Sequence, residues 1–398
     1  MRIAVPDLIS NSYFPAIAAV ELGFFKAEGL EVKRVELFFP VPKMMEALRG
    51  GEFDFVAGSA HATLMAFPEW KGAKLLVALA QRMYWLLVLR SDLKAKRGDI
   101  NAVKGLRIGA APGVDLGLKR LLVEAGIDPE RDRVQIGPVP GAAGSGVSFG
   151  LTAAKALEER TIDGFWANAM GAELAVSRGI ATVVLDVRRG DGPPPAWHYT
   201  FPALITTEKK IKEDPKTVQG AIRAVIKAQK ALRADVSKAT EVGRKIFPPT
   251  EAETIAKLIE RDLPYYDPVI SEEVVTKMNR FAQDVGLLPG PVPYGQVVAA
   301  GSVGIVEDEH IAVANAVVII PAERRDQRPH REPAAADPLL KPQASSLKPL
   351  SPEHRPRLPM VAQREPSPSA IADAANPTLR RTRPLRARPE SEFQPVST

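Results

Sequence analysis

The sequence predicts an α/β fold of two sheet-and-helix units followed by a disordered C-terminal tail. Three observations carry that prediction. Apolar strand-like runs and helical repeats alternate through residues 2–190, the pattern of sheets with helix-covered faces. The alternation begins twice, at the N-terminus and again near residue 105. From Pro321 onward the composition changes. Fifteen of the chain's 36 prolines fall there, with Phe393 the single aromatic residue, too little apolar surface to offset the entropy of ordering.

The first unit opens with "RIAVP" (2–6), a short apolar strand, and the polar loop "DLISNSY". Pro15 suits the first turn of a helix, where a missing N–H costs nothing, and Ile17, Val20 and Phe24 follow at helical spacing. Gly23 marks a break, and "FFKAEG" forms a second short turn ending at Gly29. "LEVKRVEL" (30–37) alternates as a strand does. A helix at "VPKMMEALRGG", a buried strand "FDFVAGS" (53–59), a short helix starting near His61 and a strand "KLLVALA" (74–80) complete the unit. "YWLLVLRSD" (84–92) is an apolar strand leading out of it.

The second unit opens at "KGLRIGAAPGVDLGLKRLLVEAGI", where a strand meets a Pro-Gly turn and a helix with Leu118, Leu121 and Leu122 on one face. "RVQIGPVP" is a strand and "GAAGSGVSFG" (141–150) a flexible glycine-rich connection; it is neither a dinucleotide-binding opening nor a Walker loop. "LTAAKALEERTIDGFWAN" reads as helix, turn and buried strand, and "TVVLDVRRG" (182–190) closes the unit. After "GDGPPPA", the strand "HYTFPALITTE" (198–208) returns toward the first unit.

Helices then dominate. Asp214 caps a helix opened by Pro215, with Val218, Ile222, Val225, Ile226 and Leu232 on one stripe. Thr250 and Glu253 have capping-box spacing, and Ser271 precedes a helix that Gly286 can end. "AVANAVVII" (312–320) is one further candidate strand before the tail. A misread gene end is the alternative account of that tail.

The formal charge of +6 is concentrated rather than spread. The segment 321–398 carries 14 Lys/Arg against 9 Asp/Glu, so the remainder is close to neutral and offers little footprint for nucleic acid. No cysteine is present, which excludes disulfides, thiolate metal sites and cysteine nucleophiles. No window has the ~18 apolar residues of a membrane helix. "MRIAVP" reads as a strand rather than a signal peptide. A cytosolic protein, a start near a mature end and a misplaced gene start all remain open.

Four stretches in order carry a family resemblance. "YFPAIAAVELGFFKAEGLEV" resembles the first helix-turn-strand unit of type II periplasmic solute-binding proteins, in the branch of nitrate, sulfonate and taurine binders and the thiamine-pyrimidine (NMT1/THI5-like) proteins. "ALRGGEFDFVAGS", "VKGLRIGAAPG" and "ALEERTIDGFWAN" resemble the family's later segments, and together they cover roughly residues 1–290. The resemblance implies two α/β lobes joined by two crossing strands near 82–92 and 190–202, with a ligand in the cleft. Lobe 1 would comprise 1–90 plus 195–300, lobe 2 would comprise 91–194, and 301–398 would be the tail.

Ligands of open α/β sheets sit beyond the carboxyl ends of strands, which selects the loops to watch. Ser10, Asn11, Ser12 and Tyr13 offer hydroxyls, an amide and an aromatic face before a helix; an ordinary capped loop is the bland alternative. Ser59 and His61 sit where strand becomes helix, although a lone histidine is more often a satisfied one. Gly113 and Val114 lie at a helix start whose N–H groups could hold an anion, unless Asp115 caps that helix and repels it. Trp166 and Asn168 end a strand, the tryptophan being equally a core residue. Trp197, His198 and Tyr199 could wall the second crossing and Tyr84 or Trp85 the first, only one of that pair facing the cleft.

These readings favour a solute-binding component of an ABC-type importer. It would take a small polar organic molecule (a sulfonate, a pyrimidine or an aromatic-acid-like compound) by hinge closure. Its partner would be an inner-membrane permease. It would need no cofactor, metal or nucleic acid, would act as a monomer, and would work in the periplasm or cell envelope. An enzyme on the same fold is the first alternative, with His61 or His198 as acid or base; the cysteine-rich motif of the THI5 synthases is missing. A cytosolic ligand sensor is the second.

Overall fold

The computed structural model describes residues 1–140, 148–302 and 304–306. Most of the expected glycine-rich connection, the strand expected at 312–320 and the tail beyond 306 lie outside them. The first half runs β1 (Ile3–Val5), α1 (Phe14–Glu21), α2 (Phe24–Ala27), β2 (Val35–Leu37), α3 (Val41–Arg49), β3 (Phe55–Ser59) and β4 (Ala73–Ala78). It continues through β5 (Leu86–Arg90), β6 (Arg107–Ala110), α4 (Asp115–Glu124), β7 (Gln135–Gly137), α5 (Phe149–Glu158), β8 (Gly164–Ala167), α6 (Ala169–Ser177) and β9 (Ala181–Asp186). The rest is β10 (Pro202–Thr207), α7 (Glu208–Glu213), α8 (Pro215–Ala234), α9 (Ser237–Ile246), α10 (Pro249–Asp262), α11 (Glu272–Asp284) and α12 (Tyr294–Val297).

Two five-stranded sheets result, with orders β2-β1-β3-β10-β4 and β7-β6-β8-β5-β9. They share one plan. Three parallel strands are followed by an antiparallel strand, then an edge strand. The antiparallel strand of each sheet comes from the chain that has just left the other sheet. β5 follows β4 yet pairs Leu87 with Trp166 and Leu185, and β10 follows β9 yet pairs Leu204 with Ala57 and Val77. The chain therefore crosses twice, between β4 and β5 and between β9 and β10, which is the expected two-lobed α/β architecture.

The expected boundary at residue 90 needs correction. Leu86, Leu87, Val88 and Leu89 are all buried because β5 is an inner strand of the second sheet, so the first crossing ends before it. The 30–37 strand shrinks to Val35–Leu37. Gly29 takes φ +75°, a conformation that favours glycine, and turns the chain out of α2. Of the two phenylalanines there, Phe25 is buried and Phe24 partly so.

Local signals place most helices. Asp214 accepts from Thr217 N at 3.3 Å and Ser271 Oγ from Val274 N at 3.2 Å, both as caps. The predicted stripe of α8 is buried from Val218 to Leu232. The Thr250–Glu253 box does not form. Pro248 and Pro249 start α10, Thr250 lies inside it, and Glu253 pairs with Arg244 at 2.9 Å. One large core runs from Phe14 through Trp85 to Trp166, and a second joins Trp70, Phe201 and Met278 beneath α3 and α11. Among the described residues no helix is long and apolar enough to cross a membrane.

Candidate functional site

The carboxyl ends of β1, β3 and β8 meet both crossings and the last residue of α10 in one buried polar cluster. The loop after β1 supplies Asp7, Asn11, Ser12 and Tyr13. Asp7 Oδ1 accepts from Ile9 N at 3.0 Å and Ser10 Oγ from Ser12 N at 3.1 Å, so two short side chains shape the turn. Tyr13 and Tyr84 share a hydroxyl hydrogen bond of 2.8 Å, and Tyr84 shares a second of 2.7 Å with Ser59. Burial pushes the Tyr84 phenol up to about 12. The Arg188 guanidinium lies 5.5 Å from the Tyr84 ring centre.

Arg188 is the charge at the centre of the cluster. Only 2% exposed, it pairs through Nη1 with Asp262 Oδ2 at 2.9 Å. Asp262 also accepts from Asn11 Nδ2 at 2.6 Å and from Arg189 at 2.9 Å. Arg188 Nε and Nη2, Asn11 Oδ1, Ser12 Oγ and the Tyr266 hydroxyl have no hydrogen-bond partner among the described residues. Buried polar groups are nearly always paired, so these five atoms carry an unmet hydrogen-bonding capacity inside the cluster.

Asp7 ties the two halves together. Its Oδ2 accepts from Ser148 Oγ at 2.9 Å and Asn168 Nδ2 at 3.0 Å. Ser148 precedes α5, and Asn168 caps α6 by accepting from Met170 N at 3.1 Å. Burial raises the Asp7 pKa from 3.8 to about 7, even though its hydrogen bonds favour the charged form. A folded pKa above the unfolded one contributes stability below the unfolded value and loses it as pH rises through the folded value. Asp7→Asn is therefore expected to gain on the wild type between about pH 4 and about pH 8. At about 1.4 kcal/mol per pH unit the swing is on the order of 4 kcal/mol, read by urea denaturation at both ends.

His61 has a different task. Its Nδ1 meets Thr200 Oγ1 at 2.9 Å and its Nε2 meets the Gly113 carbonyl at 3.1 Å. A carbonyl only accepts, so Nε2 carries the proton and Nδ1 accepts from the threonine. Burial lowers its pKa to about 4, leaving a neutral ring fully used as a strut between the halves. This contribution has the opposite sign to that of Asp7: it is present above about pH 6.5 and lost as pH falls through about 4.

The other expected residues lie elsewhere. Gly113 N donates to Asp115 Oδ1 at 2.9 Å and Val114 N to the Ala111 carbonyl at 3.0 Å, so that turn does not offer the free donors expected of it. Trp166 is wholly buried, 6.0 Å from the Trp85 ring, while Trp85 faces His61 and Tyr84 faces the cluster. His198 and Tyr199 line a separate hollow of about 450 Å³ with Glu124, Lys277, Arg280 and Phe281. Tyr199 stacks on Phe281 at 4.4 Å. The structure thus brings Ser10, Asn11, Tyr13, Ser59, Tyr84 and Asn168 together, and adds Asp7, Ser148, Arg188 and Asp262, which the sequence reading passed over. A charged residue in a loop at the carboxyl end of a strand was the available signal for Asp7 and Arg188; Asp262 had none.

Comparison with known proteins fits this architecture. The family model described as NMT1/THI5 like matches residues 10–239. The chain matches no curated protein. Among solved structures it resembles the periplasmic aliphatic sulphonate binding protein SsuA from Escherichia coli, with TM-score 0.54 and 15% identity over 75% of this chain and 91% of that one. It also resembles the periplasmic nitrate-binding protein NrtA from Synechocystis PCC 6803, with TM-score 0.55 and 15% identity over 81% and 89%. The desulfurization enzyme DszB has TM-score 0.52 and 14% identity over 78% and 100%. At such identities the likeness carries the fold.

Proposed function

The chain belongs to the NMT1/THI5-like family, and on that premise we propose that it captures a small polar organic solute between its two halves and delivers it to an ABC-type permease in the cell envelope. The observation that carries this reading is Arg188. Two of its buried nitrogens, Nε and Nη2, lack partners among the described residues, and each unmade buried bond costs about 1–3 kcal/mol. An acceptor oxygen on a solute would make both bonds in the fork geometry that guanidinium favours. Sulfonates, oxo-pyrimidines and aromatic acids all carry such an atom. The Tyr84 and Tyr265 rings supply aromatic faces 5.5 and 5.6 Å from its guanidinium, and groups from both sheets meet around it, as hinge closure over a ligand requires.

Native mass spectrometry of the full chain, followed by denaturation, tests the proposal. The expected result is one unchanged small molecule released per chain. Arg188→Lys, which keeps the charge but loses the fork, should weaken rebinding of that molecule about 100-fold, from two charged hydrogen bonds of about 1.5 kcal/mol each. Ser12→Ala should weaken it about 10-fold with unchanged melting. Wild-type affinity in both variants would refute the site.

One observation favours a second reading, an enzyme on this fold. A carboxyl group tuned to about pH 7 in a buried cluster, as Asp7 is, suits acid–base work. Chemical conversion of the released molecule on prolonged incubation would select that reading.

A further inference from the structure

Asp7 sits where two helices begin. The starts of α5, ten residues long, and α6, nine residues long, converge on its carboxylate. Ser148 leaves its own helix without a side-chain cap and donates to Asp7 instead. The Phe149 N–H also favours the Asp7 anion. The two helices can approach this closely because Gly150 and Gly171 meet backbone to backbone; a Cβ on Gly171 would lie 2.2 Å from the Gly150 carbonyl oxygen. Each helix start carries about half a positive charge, and a pair of them would ordinarily attract an anion. Here the anion is part of the chain, brought by the loop after β1 in the opposite half.

We propose that Asp7 sets the solute class of this site: it fills the anion-attracting point at the starts of α5 and α6, so the cleft rejects bare oxyanions. The preferred solute is uncharged or zwitterionic, with an acceptor oxygen toward Arg188 and an uncharged or N–H-bearing end toward Asp7. This inference rests on the solute-binding reading above. A second anion held about 4 Å from ionised Asp7, at an effective dielectric of about 20, is repelled by about 4 kcal/mol, on the order of a thousandfold. Because Asp7 can take up a proton instead, with a pKa of about 7, the loss in affinity at about pH 8.5 is limited to about thirtyfold. Arg188 is matched by Asp262 and Arg189 by Asp186 and Asp262, while the third guanidinium, Arg82, donates to the Arg188 carbonyl at 3.2 Å and lies over the Tyr265 ring.

The test titrates methanesulfonate and nitrate into the wild type, Asp7→Ala and Asp7→Asn by calorimetry at about pH 8.5, where Asp7 is ionised. The expected wild-type result is no binding at millimolar anion. Asp7→Ala should bind methanesulfonate with a gain of about tenfold to thirtyfold, and Asp7→Asn should gain less because its amide still occupies the place. Wild-type binding as tight as that of the variants would overturn the proposal. So would folded variants, judged by circular dichroism and melting, that gain nothing for either anion; if Asp7→Ala does not fold, Asp7→Asn decides. The two readings fail separately. If Arg188→Lys leaves the released solute bound as before, the site itself is wrong. If Arg188→Lys weakens that solute while the Asp7 variants gain no anion, only the role of Asp7 is wrong.

Discussion

Asp262→Ala is expected to destabilise the protein by about 3–5 kcal/mol, the cost of removing one partner from a buried ion pair. Asp262 is 2% exposed, as is Arg188, so the guanidinium would keep its charge without a counter-ion and away from water. Asn11 would lose its 2.6 Å acceptor in the same change, and Arg189 one of its two carboxylates. Asp262→Asn retains an acceptor oxygen and the volume, and should cost less. Urea denaturation of the two variants separates the charge from the hydrogen bonds. A cost under about 1 kcal/mol for Asp262→Ala would show that the pair is solvated in solution, the regime of surface ion pairs.

Gly171→Ala is expected to cost about 1–3 kcal/mol or more, the range for overpacking a close-fitted interior. The added carbon would lie 2.2 Å from the Gly150 carbonyl oxygen and 2.7 Å from its Cα. Backbone cannot swing aside as a side-chain tip can, so α5 and α6 must separate. Ser148 and Asn168 ride on the starts of those helices, and separation pulls at least one of them from Asp7. The variant should therefore lose solute binding as well as stability. Gly137→Ala is the control, because a Cβ there meets nothing within 4 Å, and it should stay within about 0.5 kcal/mol of wild type. Equal melting temperatures for both variants would contradict the packing account.

Legibility followed the range of the forces involved. Asp214, Ser271 and the α8 stripe were readable because a cap or an amphipathic face is settled within four or five residues. The failed Thr250–Glu253 box is instructive, since its spacing was correct. Pro248 and Pro249 began the helix earlier, and Glu253 found Arg244 on the neighbouring helix. The rule for strand ends picks out the loop 10–13, but Asp7, three residues before it in the same polar loop, has no spacing or motif that sets it apart. Arg188 lies in the stretch 182–190 that closes the second unit, and its partner Asp262 lies 74 residues away with no local mark.

The amino-acid sequence by itself determined the alternation of strands and helices, the double start of the sheet pattern and the family. Each of these depends on hydrophobic periodicity and turn residues that act along a short stretch of chain. Only the tertiary structure decided which sheet receives β5, which histidine is a strut, and that Asp7, Arg188 and Asp262 share one buried cluster. Those outcomes depend on burial. A charge that water would screen in an isolated segment becomes costly once two crossings of the chain close over it, and only the closed arrangement shows which partner offsets the cost.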